Sequence, residues 1–310
     1  MARPLAIIGV PSSAGAFAPG QEQAPRALRA AGLVERLERA GVEVTDYGDG
    51  ALWRWRPDQS NRRAQNLPAV VAAARSTAAR VQQTIGEGKI PLVLGGDCTV
   101  EVGTVAGHVP SGGRLGLIYF DLHPDLNVPE SVRPGAVDWM GVAHLLGLEQ
   151  ATEPLSRIGS RVPLLAPDEI VFFAYGPQNV TPWEREVMAE HRLYGIPVDE
   201  VAADPEGSAA RALAELSSRC DRILIHLDVD TIDFTDLPLS ENTGRNEGLS
   251  FDHTMRALTV LAGSPLLSAL TITEINPNHG AEDGSTITTF VAALVRVLVS
   301  SPAIARSKPI

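Results

Sequence analysis

Short, continuously apolar runs alternate with longer segments of helical period along the whole chain, and this alternation restricts the fold more than any other feature. Runs rich in Val, Ile and Leu predict strands at about 4–11, 42–48, 89–96, 114–121, 169–176, 192–198, 222–229 and 266–275. Between them the periodicity predicts helices over Pro25–Ala40, Pro68–Gly86, Thr99–Gly107, Trp139–Leu148, Pro182–Glu190, Glu206–Arg219, Phe251–Ala262 and Asp283–Ser300. Strands without in-and-out alternation are covered on both faces. The expectation is therefore an α/β fold: a three-layer α/β/α sandwich around a mostly parallel sheet of about eight strands. No repeat, linker or low-complexity tract divides the 310 residues, which predicts a single domain over 1–310. Residues 51–66, 126–138 and 231–249 read as loops.

The net charge of −11 argues against nucleic acid as a partner, because no basic patch is available to neutralise phosphates. It suits a small cationic ligand. Cys98 and Cys220 each lie in an apolar, strand-like context rather than a disulfide framework. Met1-Ala2-Arg3-Pro4 leads directly into a strand pattern without signal-peptide features, and no apolar run has the length of a membrane span. A cytoplasmic enzyme without membrane contact is expected.

Chemistry concentrates at two strand ends. The fourth strand runs out in Tyr119-Phe120-Asp121-Leu122-His123-Pro124-Asp125, which sets Asp121, His123 and Asp125 on alternate positions. The seventh ends in His226-Leu227-Asp228-Val229-Asp230, with Asp233 three residues on. Ligands of such sheets bind at the carboxyl ends of the strands. Gathering that much negative charge is costly without a cation, and a pair of divalent metals removes the cost. Oxygen donors with one or two nitrogens suit Mn²⁺, and to a lesser degree Zn²⁺, Ni²⁺ or Fe²⁺. A single strand-end aspartate is more often a helix cap. Five with a histidine, on two strands, point to metal.

These motifs resemble the arginase–agmatinase, or ureohydrolase, family over nearly the whole chain. Gly95-Gly96-Asp97-Cys98 is similar to the family's Gly-Gly-Asp-His, and Asp121-Leu122-His123-Pro124-Asp125 to Asp-Ala-His-x-Asp. Asp228-Val229-Asp230 with Asp233 is similar to Asp-x-Asp-x-x-Asp, and Glu274-Ile275-Asn276-Pro277 to Glu-x-Asn-Pro. The opening Gly15…Gly20…Ala24-Pro25-Arg26 and Asp46-Tyr47-Gly48-Asp49 also look like family members. The resemblance implies an arginase-like fold with two Mn²⁺ per chain, bridged by Asp121 and Asp228. It further implies that Asp125 and the Cys98 position complete one site, and His123 and Asp230 the other. In such a site a metal-activated hydroxide attacks a guanidinium carbon, releasing urea or hydroxyurea. Glu274 resembles the acid that pairs with and orients the guanidinium.

Three departures qualify this pattern. Cys98 stands where the family has a metal-ligand histidine. As a thiolate ligand it favours Zn²⁺ or Fe²⁺ over Mn²⁺; as a buried neutral thiol it leaves one site weak. Asp138 takes the place of the histidine held to shuttle protons, and reads either as a proton relay or as a helix N-cap. His144, six residues on, is assigned no role. Toward the far end of the substrate, Asn127 resembles a substrate-contact position of arginases, but the neighbouring serine and asparagine positions are Pro134 and Ala136 here, and an atypical loop offers Glu241 and Asn242 as substrate readers. Arginine, agmatine, N-hydroxy-arginine or another guanidino acid all remain as substrates. The resemblance also suggests a homotrimer or homohexamer. Two readings compete with a ureohydrolase: a catalytically impaired arginase-like ligand-binding or scaffold protein, and a related metal-dependent deacetylase. Metal stoichiometry separates them.

Overall fold

The computed structural model describes residues 2–306. Eight strands form one sheet in the order β2-β1-β3-β8-β7-β4-β5-β6, with every neighbouring pair parallel. They are β1 (Leu5–Gly9), β2 (Val44–Asp49), β3 (Ile90–Leu94), β4 (Leu115–Phe120), β5 (Ile170–Tyr175), β6 (Tyr194–Pro197), β7 (Arg222–Asp228) and β8 (Leu267–Thr273). Each coincides with an expected strand; the inner strands are buried and apolar at nearly every position because both faces are covered, whereas the edge strands β2 and β6 are partly exposed.

The first half of the chain supplies helices α1 (Ala24–Ala30), α2 (Leu33–Arg39), α3 (Leu67–Gly86), α4 (Val100–His108), α5 (Gly141–Leu145) and α6 (Glu153–Ser156). The second half supplies α7 (Pro182–Glu190), α8 (Val198–Ala203), α9 (Pro205–Ser217), α10 (Phe251–Ala262) and α11 (Ser285–Ser300). Two expected helices differ in detail. The segment Pro25–Ala40 is broken into α1 and α2 at Gly32, whose φ of 84° is left-handed and suits a residue without Cβ. The segment Trp139–Leu148 is a 3₁₀ turn, Val137–Met140, followed by the short α5. The sequence reading lacked α6 and α8, which are too brief to show a period.

Period-2 alternation assigns the two faces. Ile118, Phe120, Ile223, Ile225 and Leu227 pack under α1, α2 and α8 to α11. Leu117, Tyr119, Phe172 and Leu224 pack under α3 to α7. These two cores are the outer layers' contacts with the sheet, and together they give the expected three-layer sandwich. Both cysteines are free and buried.

The strand order positions everything that follows. β3 and β4 are consecutive in the chain, yet β8 and β7 lie between them. Register pairs Leu94 with Ile272, Asp228 with Thr273, and Phe120 with Leu227. The carboxyl ends of β3, β8, β7 and β4 therefore stop level with one another. Segments 95–98, 274–276, 228–230 and 121–125 all leave the sheet at that edge.

Candidate active site and metal centre

The loop after β3 is fixed before any ligand arrives. A Cβ on Gly96 would fall 1.6 Å from the Ser12 carbonyl oxygen, so only glycine lets the loop after β1 close against it. The Asp97 carboxylate accepts from Ser12 Oγ at 2.9 Å and from the amides of Gly15 and Thr99 at 3.1 Å. Asp97 is thereby a positioning residue that sets Cys98 at the entrance to α4.

The expected donors converge in three overlapping groups. Asp121, His123 and Asp230 form the first, with His123 Nδ1 at 2.9 Å from Asp230 Oδ2 and 3.6 Å from Asp121 Oδ1. Cys98, Asp228 and Glu274 form the second, with Cys98 Sγ at 3.1 Å from Asp228 Oδ2. Cys98, Asp121 and His226 form the third. Asp121 thus belongs to groups on both sides, as a bridging ligand would. Asp125 belongs to none of the three; its carboxylate accepts the Tyr119 hydroxyl. Asp125 and Glu274 both hold left-handed backbone, with φ of 49° and 61°, a strain that non-glycine residues keep where surrounding structure imposes it.

The electrostatics of the site favour a cation among these acids. Burial, then the neighbouring charges of Asp230, Asp121 and Glu274, push Asp228 well above the usual carboxylate range. Burial and Asp138 do the same to Glu274, and burial and Asp121 to Asp125. Burial opposes the charged form of His123, but Asp230 and Asp121 outweigh it and raise its pKa. Asp230 Oδ1 is buried with no hydrogen-bond partner among the described residues. An orphaned carboxylate oxygen facing a cluster of acids fits a metal ion, and the donor set of carboxylates and imidazole suits one.

These groups open into a cavity of about 360 Å³. Cys98, His123, Asp125, Asp228, Asp230 and Glu274 face it. Asp138 lines it as well, buried, with Oδ1 accepting from the Trp139 amide at 3.0 Å. The residue capping its 3₁₀ turn is Ala136, so Asp138 is not an N-cap. Asn127 lines the wall, its Oδ1 taken by Ser131 and Thr181. Asn242 faces the cavity but spends Nδ2 on Asp230 Oδ2 at 3.3 Å, which makes it a support for that carboxylate.

One expected residue is corrected. Glu241 does not reach the cavity: its carboxylate accepts from Asn276 Nδ2, and its backbone amide from β-bridge geometry binds the Glu274 carbonyl at 2.8 Å. Asp233 also lies apart from the donors, accepting from Thr235, Glu247 and Gly248 to shape the 231–249 loop. His144 is core, bridging Met140 and Thr152.

The sequence reading missed several residues. Gln21 donates to Glu274 Oε2 at 3.0 Å, while Phe17 and Trp139 form an aromatic wall with ring centroids 6.1 Å apart. Thr181 and Glu184 line the far side; their reciprocal capping box at the start of α7 was a readable signal. His226 carries no local mark that sets it apart within its apolar strand.

Comparison with known proteins agrees with this geometry. Residues 3–300 match the model of the Arginase family. The arginase of Bacillus caldovelox is 32% identical over 280 residues, covering 89% of this chain and 91% of the relative. That of Bacillus subtilis (strain 168) is 29% identical over 297 residues, covering 95% and 98%. The solved structure of the Bacillus caldovelox arginase superposes with a TM-score of 0.85 at 30% identity, covering 96% of this chain and 98% of that one. A formimidoylglutamase from Bacillus subtilis subsp. subtilis str. 168 shares the fold at TM-score 0.75 and 18% identity, covering 97% and 88%. With its donors gathered at the carboxyl edge of an all-parallel eight-stranded sheet, the chain belongs to the arginase family of ureohydrolases.

Proposed function

We propose that the protein hydrolyses the C–N bond of a small cationic guanidino compound and releases urea, or hydroxyurea from an N-hydroxy substrate. Two divalent ions, Mn²⁺ first among them, would be held by Asp121 and Asp228 as shared ligands, with His123 and Asp230 on one side. Cys98 stands on the other side, and Asp125 at its margin. The observation that carries this reading is the place of Glu274: a buried carboxylate within one donor group, at the floor of an acidic cavity that no Lys or Arg among the described residues lines.

The metal pair, when bound, supplies a water acidic enough to serve as nucleophile near neutral pH. The chain's own residues do the rest. Glu274 is held from two sides, Oε1 by the Cys98 amide and Oε2 by Gln21 Nε2, each at 3.0 Å. A carboxylate so fixed presents its remaining lone pairs in one orientation, which suits a planar guanidinium. The negative crowding that raises Glu274 also makes a cation the favourable occupant. Asp138, pushed upward by burial and by Asp97, holds a proton closer to neutral pH than an ordinary carboxyl and so can pass one to a leaving amine. Phe17 and Trp139 exclude water along one wall. At the far end, neutral Asn127, Asn179 and Thr181 meet the rest of the substrate, alongside Glu184.

A cytoplasmic homotrimer or homohexamer belongs to the same reading and has family likeness as its support; no helix among the described residues is long and apolar enough to cross a membrane. The deciding experiment measures urea release by Mn²⁺-reconstituted protein against arginine, agmatine, N-hydroxy-arginine and other guanidino acids. Turnover of at least one, abolished by chelation, is expected. Stoichiometric metal binding without urea from any of them would leave a ligand-binding protein instead.

A further inference from the structure

We propose that His226 is a ligand of the metal site at Cys98, and that Glu101 orients its ring. This rests on the metal-centre reading above and adds to it a histidine–carboxylate pair that returns an imidazole to a site whose loop carries a thiol.

The placement follows from strand geometry. His226 lies two residues before Asp228 on β7 and shares its face. In register it pairs with Tyr119, and the two rings stack at 4.3 Å with an interplanar angle of 3°, which fixes the imidazole plane. Its Nε2 points at the donors: 3.5 Å from Cys98 Sγ, 3.9 Å from Asp121 Oδ2 and 3.3 Å from Thr273 Oγ1. Cys98 Sγ is in turn 3.1 Å from Asp228 Oδ2 and 4.0 Å from Asp121 Oδ2. Atoms bound at about 2.0–2.3 Å to one tetrahedral ion lie roughly 3.3–3.8 Å apart, so these spacings need only small adjustment to close on a metal.

The other ring nitrogen supplies the independent observation. His226 Nδ1 is 3.5 Å from Glu101 Oε2, and both side chains are sealed from solvent at 0% and 2% exposure. Neither Nδ1 nor either Glu101 oxygen has a hydrogen-bond partner among the described residues. A carboxylate held dry and unpaired is costly, and burial of this kind persists where a charge compensates it. An imidazole bound to metal through Nε2 carries positive charge onto its Nδ1–H and offers it as a donor, the arrangement by which carboxylates fix metal-ligating histidines. Glu101 comes three residues after Cys98, in the first turn of α4, so the segment that carries the thiol into the helix also presents the carboxylate. A site of sulfur, imidazole and carboxylate suits Zn²⁺, Fe²⁺ or Co²⁺ better than Mn²⁺, whereas the His123–Asp230 side remains oxygen-rich. The competing arrangement is a neutral hydrogen bond between Cys98 and His226 with no metal at that position.

Metal binding by the purified full-length chain separates the two. Elemental analysis and Zn²⁺ and Mn²⁺ titrations would compare the parent with His226→Gln, Glu101→Gln and Cys98→Ser. His226→Gln is expected to weaken one site at least 100-fold and leave the other unchanged; Glu101→Gln should weaken the same site about 10- to 100-fold, as loss of an orienting carboxylate does. Parent-like stoichiometry and affinity in His226→Gln would overturn the proposal. Should that variant fail to fold, pulsed EPR of Cu²⁺-loaded His123→Gln decides, because imidazole nitrogen coupling at the Cys98 site must then come from His226. Its absence overturns the assignment. Urea release reports separately on the reading beneath: metal held through His226 without turnover sinks the proposed activity alone, and turnover with unchanged metal in His226→Gln sinks this inference alone.

Discussion

The backbone amide of Cys98 donates to Glu274 Oε1 at 3.0 Å, joining residues 176 positions apart in the sequence. Through that bond the loop after β3 and the end of β8 form one floor. The Gly96 carbonyl adds a second tie, accepting from the Glu274 amide at 2.7 Å. The residue expected to clamp substrate is therefore built into the same floor as the candidate metal donors.

Glu274→Gln tests the clamp. Gln21 Oε1 has no partner, so the Gln21 amide can turn to accept from the new side chain, and folding should survive. Replacing a charge-assisted pair by a neutral one costs about 1.5–3 kcal/mol. Turnover of a guanidinium substrate should accordingly fall by roughly 10- to 150-fold, with metal content retained. Unchanged steady-state kinetics would remove Glu274 from substrate recognition.

Asp121 and Asp228 should matter more to metal content than Asp125. Asp121 sits in two donor groups and Asp228 beside Cys98, whereas Asp125 is engaged by the Tyr119 hydroxyl. Asp228→Ala is expected to lose at least one equivalent of metal and Asp125→Ala less. Elemental analysis after gel filtration measures both; equal losses would contradict this ranking.

For Asp138, stability and activity should move in opposite directions. Burial, then Asp97, raises its pKa above the unfolded value, so the folded state holds the extra proton and stability falls as pH rises out of the usual carboxylate range. Asp138→Asn keeps an acceptor for the Trp139 amide. The metal-free variant should melt higher than the parent at pH 7, with the gain vanishing near pH 3. Activity should lose or shift one limb of its pH profile while metal content stays constant. A superimposable profile would end the proton-transfer role.

His144 ties stability to mild acid. Burial lowers its pKa to about 4. Its Nδ1 faces the Met140 carbonyl and its Nε2 accepts from the Thr152 amide at 3.2 Å, so the neutral ring fits. Between about pH 6.5 and about 4 the unfolded chain binds the proton that the folded chain refuses, and stability falls with pH across that window. His144→Gln should be less stable than the parent at pH 7.5, with a difference that shrinks by a few kcal/mol towards pH 4. Urea unfolding at a series of pH values checks this; a constant difference would mean that the ring titrates normally.

Much of this was written locally. The six inner strands were legible because strands covered on both faces must be apolar nearly throughout, and Asp121, His123, Asp228 and Asp230 because polar groups at the end of such a strand have no place in the core; the edge strands β2 and β6 are partly exposed and were marked by their place in the alternation. Glu241 misled because a loop residue's direction is set by its partner, here Asn276, which sequence spacing does not reveal. Gln21 and Phe17 belong to a loop whose path depends on Gly96 and Asp97, nearly eighty residues away by count.

The sequence by itself determined the alternation of strands and helices, the covering of the sheet on both faces, and the acids at the strand ends. Each depends on neighbours within a few residues, through periodicity and apolar burial. Only the tertiary structure decided that β8 and β7 lie between β3 and β4, and so that Glu274 meets Cys98. It also set His226 beside Cys98 with Glu101 behind it. A histidine in an apolar strand has no local pattern to mark it, because its partners come from a helix more than a hundred residues earlier, and strand order is fixed by long-range packing rather than by local period.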